Sequence, residues 1–410
     1  MGVLVDITPL RVSPDFRRLW SGQAISLVGT TMTSAALPFQ LFHLTGSSLA
    51  VGLLGLVELG PLLVFSIIGG ALADGRDKRR LLLGVSAAAL VCALALAVNA
   101  SLDQPQVWVL YVVGAVSSAI LAVGHPVSRS LLPLLLPDDL RPAAFALQST
   151  NVWLGVMVGP AIGGVIIATA GLSTAYLVDV VTYVIAFVVY AGLAPAPPVG
   201  ASPAIGVSSV LDGLRFLRGS LVMNIFAIDL LAMIFGMPKA LFPALAERLG
   251  GGPALYGLLL SSIAAGAVLA SLFSGWTGRV RRQGRAVLLA ITVWGGAIAV
   301  AGLTTSVAVV LAFFAVAGAA DMISGIFRST IAAAVTPDEL RGRVSGVEIA
   351  VYAGGPVLGD VEAGVVGGLI SVPFAIVSGG LACVAAAAGF ALFVPRLAHY
   401  EPSAATVTEL

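Results

Sequence analysis

Charge is what this chain has least of. Of its 410 residues only 10% are Asp, Glu, Lys or Arg, against about 25% in an ordinary soluble domain. Hydrophobic residues make up 59%, and the mean hydropathy is +1.05. A soluble protein of this length has no means of hiding so much apolar surface, so lipid must cover part of it. That excludes a cytosolic enzyme, a nucleic-acid binder and a disordered scaffold. A net charge of +1 points to no polyanionic partner. Cysteine and histidine are scarce too. Cys92 and Cys383 each sit alone in an apolar run, and His43, His125 and His399 share no metal-ligand spacing, so neither a disulfide framework nor a metal site is indicated. No G-x-x-x-x-G-K-[ST] phosphate loop and no H-E-x-x-H set occurs, which leaves ATP-driven transport and intramembrane catalysis without support. No cofactor is expected.

What the chain has in abundance is long apolar runs. A helix needs about 20 such residues to cross about 30 Å of hydrocarbon. Twelve runs qualify, at 19–43, 49–73, 81–100, 107–133, 140–169, 173–194, 221–246, 255–277, 286–304, 307–335, 340–369 and 373–394. The first follows a polar, Arg-containing start without a small-residue cleavage site and reads as a retained helix. With the N-terminus inside, nineteen of the 21 basic residues fall at cytoplasmic ends, leaving Lys239 and Arg248 outside. Both termini are therefore expected in the cytoplasm. The break at 195–220 opens Ala-Pro-Ala-Pro-Pro, a semi-rigid linker, and continues with apolar residues at helical spacing, as a short helix lying on the membrane surface would. The expected organisation is a six-helix bundle at 1–194, this linker, a second six-helix bundle at 221–395 and a cytoplasmic tail at 396–410.

The two halves repeat one another. Arg129-Ser130, Pro137-Asp138-Asp139-Leu140-Arg141 and Gly159-Pro160-Ala161-Ile162-Gly163 return as Arg328-Ser329, Pro337-Asp338-Glu339-Leu340-Arg341 and Gly355-Pro356-Val357-Leu358-Gly359, at offsets of 199, 200 and 196 residues. Ordered matches on equivalent spans indicate a duplication, the arrangement of transporters that work around a central site. The fold class expected is all-α integral membrane, with twelve transmembrane helices in two pseudo-symmetric six-helix bundles around a central cavity.

Three stretches carry a family resemblance. Gly70-Ala71-Leu72-Ala73-Asp74, followed by Arg76, Lys78, Arg79 and Arg80, closes span two and resembles the cytoplasmic loop motif of the major facilitator superfamily, although Gly75 and Asp77 replace its usual Arg and Gly. In that family the Asp clamps a neighbouring helix terminus and the basic residues latch an inner gate; the resemblance implies those roles for Gly70, Asp74, Arg76, Lys78 and Arg79. Gly155-x-x-x-Gly159-Pro160-x-x-Gly163 on span five resembles the superfamily's exporter motif, glycines at four-residue spacing giving a flat packing face. Asp15-Phe16-Arg17-Arg18-Leu19-Trp20, Leu37-Pro38-Phe39-Gln40 and Thr336-Pro337-Asp338-Glu339-Leu340-Arg341-Gly342-Arg343 are similar to the branch that holds enterobactin-type siderophore exporters and macrolide and drug efflux proteins. The resemblance implies export of small organic compounds across a bacterial plasma (inner) membrane, driven by the proton gradient, with no nucleic acid and no obligate protein partner. An importer or facilitator of metabolites is the other reading.

Acids within spans are costly, at least about 2.5–3.5 kcal/mol at the bilayer centre, and are functional candidates. Glu58 lies about 14 Å into span two and Asp229 about 12 Å into span seven, both near mid-depth. One from each half, they are the candidates for proton coupling, because burial disfavours a carboxyl's charged form and lets it hold a proton near neutral pH. Asp321 and Arg328, two turns apart in the cytoplasmic half of span ten, are not expected to bridge within the helix; each should pair with a neighbour, at the inner gate. Asp360 and Glu362 belong to the outer end of span eleven. Asp179 and Glu348 cannot be assigned to packing or to function. Gln23, Gln40, Gln148, Asn151, Trp153 and Phe226 are candidates to line a cavity. His125, before Pro126, reads as a histidine at a helix break. A Glu58→Gln or Asp229→Asn variant should reach the membrane yet expel substrate poorly in a cell-retention assay; wild-type efflux by both would remove them as coupling residues.

Overall fold

The computed structural model describes residues 6–197, 217, 219–337 and 340–401, apart from the side chains at 71, 74, 342 and 343. Among these residues every regular element is helical. We number the long helices α1 (Pro14–Thr45), α2 (Ser48–Gly75), α3 (Lys78–Ala100), α4 (Val107–Leu135), α5 (141–170), α6 (172–191), α7 (Leu221–Gly236), α8 (Gly252–Leu272), α9 (Gln283–Leu303), α10 (Val307–Val335), α11 (Arg341–Leu369) and α12 (Val372–Phe393). Among the described residues eleven helical stretches are long and apolar enough to cross a membrane, and one of them, 54 residues long, holds two spans. That stretch divides at Gly171, whose φ of 84° and ψ of 169° belong to a region that only glycine adopts readily. The chain is thus an all-α integral membrane protein with twelve spans, and their bounds follow the apolar runs closely.

Span seven differs from the expected 221–246. Pro238 has no N–H and pushes the residue before it out of helical geometry, so α7 stops at Gly236 and Met237 takes φ −119° and ψ 72°. A short turn at Lys239–Leu241 and a helix at Phe242–Arg248 follow. Asp360 serves that break: its carboxylate accepts the Ala240 N–H at 2.8 Å. The predicted break at His125 is absent. α4 runs through both Pro126 and Pro133, as membrane helices can when neighbours answer the freed carbonyls. Most of the linker expected at 195–220 and most of the tail fall outside the described residues.

Packing divides the chain into two units. The first holds residues 1–46, 56–205 and 252–261, and the second 47–55, 206–251 and 262–410.

Glycine sets how close these helices come. In the first unit Gly155, Gly159 and Gly163 of α5 face Leu27, Thr31 and Met32 of α1, and Thr31 Oγ1 donates to the Gly155 carbonyl at 2.9 Å. A Cβ at Gly155 would lie 2.7 Å from Leu27 Cγ, and one at Gly159 would overlap Thr31 Oγ1. On the other side of α5, a Cβ at Gly164 would come within 2.5 Å of the Pro253 carbonyl, at the start of α8. The second unit repeats this design, with Gly355 and Gly359 of α11 against Met233 and Ile234 of α7. By contrast, a Cβ at Gly70 would meet nothing within 4 Å. A Gly159→Ala variant is therefore expected to lower the thermal midpoint of the detergent-solubilised protein, by an overpacking cost of about 1–3 kcal/mol, while Gly70→Ala leaves it in place. Size-exclusion chromatography after heating reads both.

A polar cavity and a buried ion cluster as the candidate functional site

The first unit encloses a cavity of about 360 Å³ lined from α1 to α6. The polar groups come from the helical periodicity of α1, where Gln23, Ser26, Thr30 and Thr33 share one face. Opposite them stand Asp179, Tyr183 and Tyr190 of α6; Glu58, Cys92, His125 and Arg129 complete the ionisable lining from α2, α3 and α4. Gln148 and Asn151 enter from α5. The hydrogen bonds are short and specific. Gln148 Nε2 donates to Gln23 Oε1 at 2.7 Å, Asn151 Nδ2 to the Trp20 carbonyl at 3.1 Å, and the Tyr183 and Thr30 hydroxyls lie 2.7 Å apart. Asp179, 1% exposed, accepts from Thr33 Oγ1 at 2.6 Å and from Thr182 Oγ1 at 3.0 Å.

The second unit holds an ion cluster. The Arg328 guanidinium, its side chain 4% exposed, pairs with Asp229 of α7 and lies 3.5 Å from Asp321 on its own helix. It also donates to Ser324 Oγ at 3.2 Å and to Tyr352 Oη of α11 at 3.4 Å. The bridge to Asp321 corrects the expectation that two turns are too far. Seven residues rise about 10.5 Å, and a helical Arg side chain runs back toward the N-terminus, so its length closes the gap. Arg328 meets the expected pairing with a neighbouring helix, through Asp229, whereas the ion pair of Asp321 among the described residues is with Arg328 on its own helix.

The candidates named from sequence separate accordingly. Glu58 lines the cavity of the first unit, while Asp229 is held in the ion cluster of the second. Gln23, Gln148 and Asn151 line the cavity. Gln40, Trp153 and Phe226 do not: Gln40 is buried and accepts from the Tyr176 hydroxyl at 2.8 Å, Phe226 is buried in the second unit's core, and Trp153 is exposed on α5. Gly155, Gly159, Pro160 and Gly163 form the α1-facing seam already described.

In the loop after α2, the Asp74 side chain lies outside the described residues and Arg76 is exposed. The anchoring there is done by Asp77, which sequence reasoning treated as a departure from the motif. It caps α3 by accepting the Arg80 N–H at 2.9 Å and also accepts the Ala196 N–H at 3.1 Å. Buried Lys78 donates its N–H to the Ala196 carbonyl, and Arg79 reaches the Ala191 carbonyl, so the loop is fastened to the end of α6. An Asp three residues before a helical N–H was the available signal. Nothing in the sequence marked Tyr183 or Thr33.

Twelve spans in a duplicated arrangement, with Asp179 hydrogen-bonded inside one unit and Asp229 ion-paired inside the other, have the organisation of a polytopic transporter. The model of the transmembrane secretion effector family matches residues 5–408, and the chain belongs to that family of the major facilitator superfamily. Enterobactin exporter EntS of Escherichia coli (strain K12) is 26% identical over 406 residues, which cover 99% of this chain and 98% of the relative. The protein of the same name from Shigella boydii serotype 18 is 27% identical over 392 residues, 95% and 92% of the two chains. Among solved structures, a POT family transporter in complex with a thioalcohol-conjugated peptide superposes with a TM-score of 0.71 at 13% identity, covering 93% of this chain and 96% of that one. A bacterial homologue of the iron transporter ferroportin, in its inward-facing state, gives 0.69 at 12%, covering 92% and 99%. These structures share the fold.

The Asp229 pairing alters what a substitution there measures. Removing one partner of a buried pair leaves the other charge uncompensated, at about 3–5 kcal/mol. Asp229→Asn and Arg328→Gln should each destabilise the protein, and the double variant should be less destabilised than the sum of the two, as read by thermal midpoints in a double-mutant cycle.

Proposed function

We propose that the protein exports small organic compounds of the siderophore or lipophilic drug class by proton antiport with alternating access. It would do so from a bacterial plasma membrane, with both termini in the cytoplasm. Family membership and the enterobactin exporters among its relatives support the direction and the substrate class; the basic residues support the orientation. The observation that carries the coupling is the buried Arg328–Asp229 pair. A carboxylate facing a guanidinium in hydrocarbon has two states of different consequence. Ionised, it holds α7 to α10. Protonated, it keeps a carbonyl oxygen that can accept but loses its charge, so its hold on the arginine weakens and Asp321 is left as the guanidinium's counter-charge, beside two hydroxyls. Proton occupancy would in this way set how tightly the two helices are joined, and a substrate group that engages Arg328 would compete for the same charge. Glu58, in the other repeat, has a different setting: it lines a cavity whose walls carry hydroxyls and amides together with Asp179, His125 and Arg129, suited to a polar group.

The test uses proteoliposomes with the cytoplasmic face outward, an acid interior and an internal pH dye. A catecholate siderophore and a macrolide are added in turn. Substrate-dependent loss of the gradient, absent from empty liposomes and reduced by at least about tenfold in the Asp229→Asn/Arg328→Gln double variant, is the expected result, tenfold corresponding to about 1.4 kcal/mol of coupling. Uptake of either compound without proton movement would replace antiport by facilitated diffusion.

A further inference from the structure

Asp179 was not singled out by its sequence, and the ion cluster does not need it. We propose that Asp179 is a proton-binding site inside the first unit, reached through the cavity along the hydroxyl-bearing face of α1. The inference deepens the antiport reading and rests on it for its use in transport, though not for its existence.

The partners of Asp179 are what distinguish it. Thr33 places its hydroxyl on one carboxylate oxygen, and the Thr182 hydroxyl lies 3.0 Å from the other while sharing its hydrogen with the Asp179 carbonyl at 2.8 Å. A hydroxyl is a donor and an acceptor. It donates to the ionised carboxylate and can accept from the protonated one by rotating about one bond, so both states are hydrogen-bonded. Asp229 is built the opposite way: its guanidinium partner can only donate, so protonation removes the charge it pairs with and leaves the new O–H without an acceptor on that partner. A group that loads and unloads a proton without disturbing the helices around it needs the first kind of environment.

The approach of the helices at this point is also specific. Gly29 of α1 lies directly against the carboxyl and the Thr182 hydroxyl, and a Cβ there would overlap Asp179 Oδ1 and Thr182 Oγ1. Glycine thus lets α6 bring the acid against α1 while the cavity stays open beside it. From Asp179 the polar face runs through Thr33, Thr30 with Tyr183, and Ser26 to Gln23 with Gln148. The ten residues from Thr33 to Gln23 rise about 15 Å, half the hydrocarbon thickness. The positive-inside asymmetry puts the Gln23 end toward the cytoplasm. A cavity of about 360 Å³ has room for several waters, and lining hydroxyls and amides would give them partners. Glu58, Cys92, His125, Arg129, Tyr183 and Tyr190 are the ionisable groups that share this space. Arg129, on the α4 turn that repeats Arg328, is exposed rather than locked in a pair like its counterpart, so the first unit offers the proton an open route and the second a closed clamp.

The test is infrared difference spectroscopy on the purified full-length protein in lipid nanodiscs, stepped from about pH 5 to about pH 9 without substrate, a range that brackets carboxyls displaced by burial. The expected result is a protonated-carboxyl carbonyl band that fades as pH rises and is lost in Asp179→Asn. Thr33→Val keeps the acid but removes one donor to its ionised form, so the fading should move to higher pH by about one unit. If Asp179→Asn does not fold, the Thr33→Val shift carries the test. A band that does not titrate, or one that titrates identically in Asp179→Asn and Thr33→Val, overturns the proposal. Failure of antiport has a different signature: the band titrates and responds to both substitutions, yet wild-type proteoliposomes move no protons with substrate.

Discussion

Hydrocarbon offers no hydrogen bonds, so every polar group this chain carries into the bilayer must be answered by the chain itself. Arg328 shows how far that demand reaches. One guanidinium engages Asp229 on α7, Asp321 and Ser324 on its own helix, and Tyr352 on α11, and thereby ties three spans to one point. The first unit answers its buried acid with neutral partners, pairing hydroxyl with carboxylate and amide with amide around a cavity. Two halves of common ancestry have thus arrived at different electrostatic solutions. One is a charge pair that resists separation; the other is a lining that tolerates a change of charge.

The duplication survives most clearly in packing rather than in charge. The Gly-Pro segment of each repeat lays its glycines on the first helix of that repeat, α5 on α1 and α11 on α7. Lipid tails are as apolar as leucine, so helix association in a membrane depends on contact area and polar links rather than on the expulsion of water. Removing side chains from the seam is how that contact area is gained. The Thr31 hydroxyl on the Gly155 carbonyl then adds a polar link that only a bare glycine face leaves accessible.

Much of this was legible from the residues. Apolar run length located all twelve spans because the bilayer imposes a thickness that sequence must match, and a repeated Gly-Pro segment exposed the duplication. The end of α7 escaped notice because a hydropathy pattern does not register Pro238, while α4 passes through Pro126 unbroken; whether a proline ends a helix depends on what its neighbours supply. Gln40 shows the other limit. A glutamine on an apolar span reads equally well as a cavity wall or as a strut, and only the Tyr176 hydroxyl decides it. Asp179 was ambiguous for the same reason, since its partners come from 146 residues away on α1 and from three residues on along its own helix. Asp77 was legible and misread, because comparison with a motif drew attention to the residue it replaces instead of to the cap it makes.

The junction at Gly171 has a mechanical meaning. α5 and α6 are joined through a single residue in a conformation reserved for glycine, with no loop to take up slack. A hinge of that kind fixes the distance between two rods while leaving their angle to be set by whatever packs along them. The tilt of α5, which carries Gln148 and Asn151, and that of α6, which carries Asp179, are therefore each set by the helices they pack on, while Gly171 keeps their ends together.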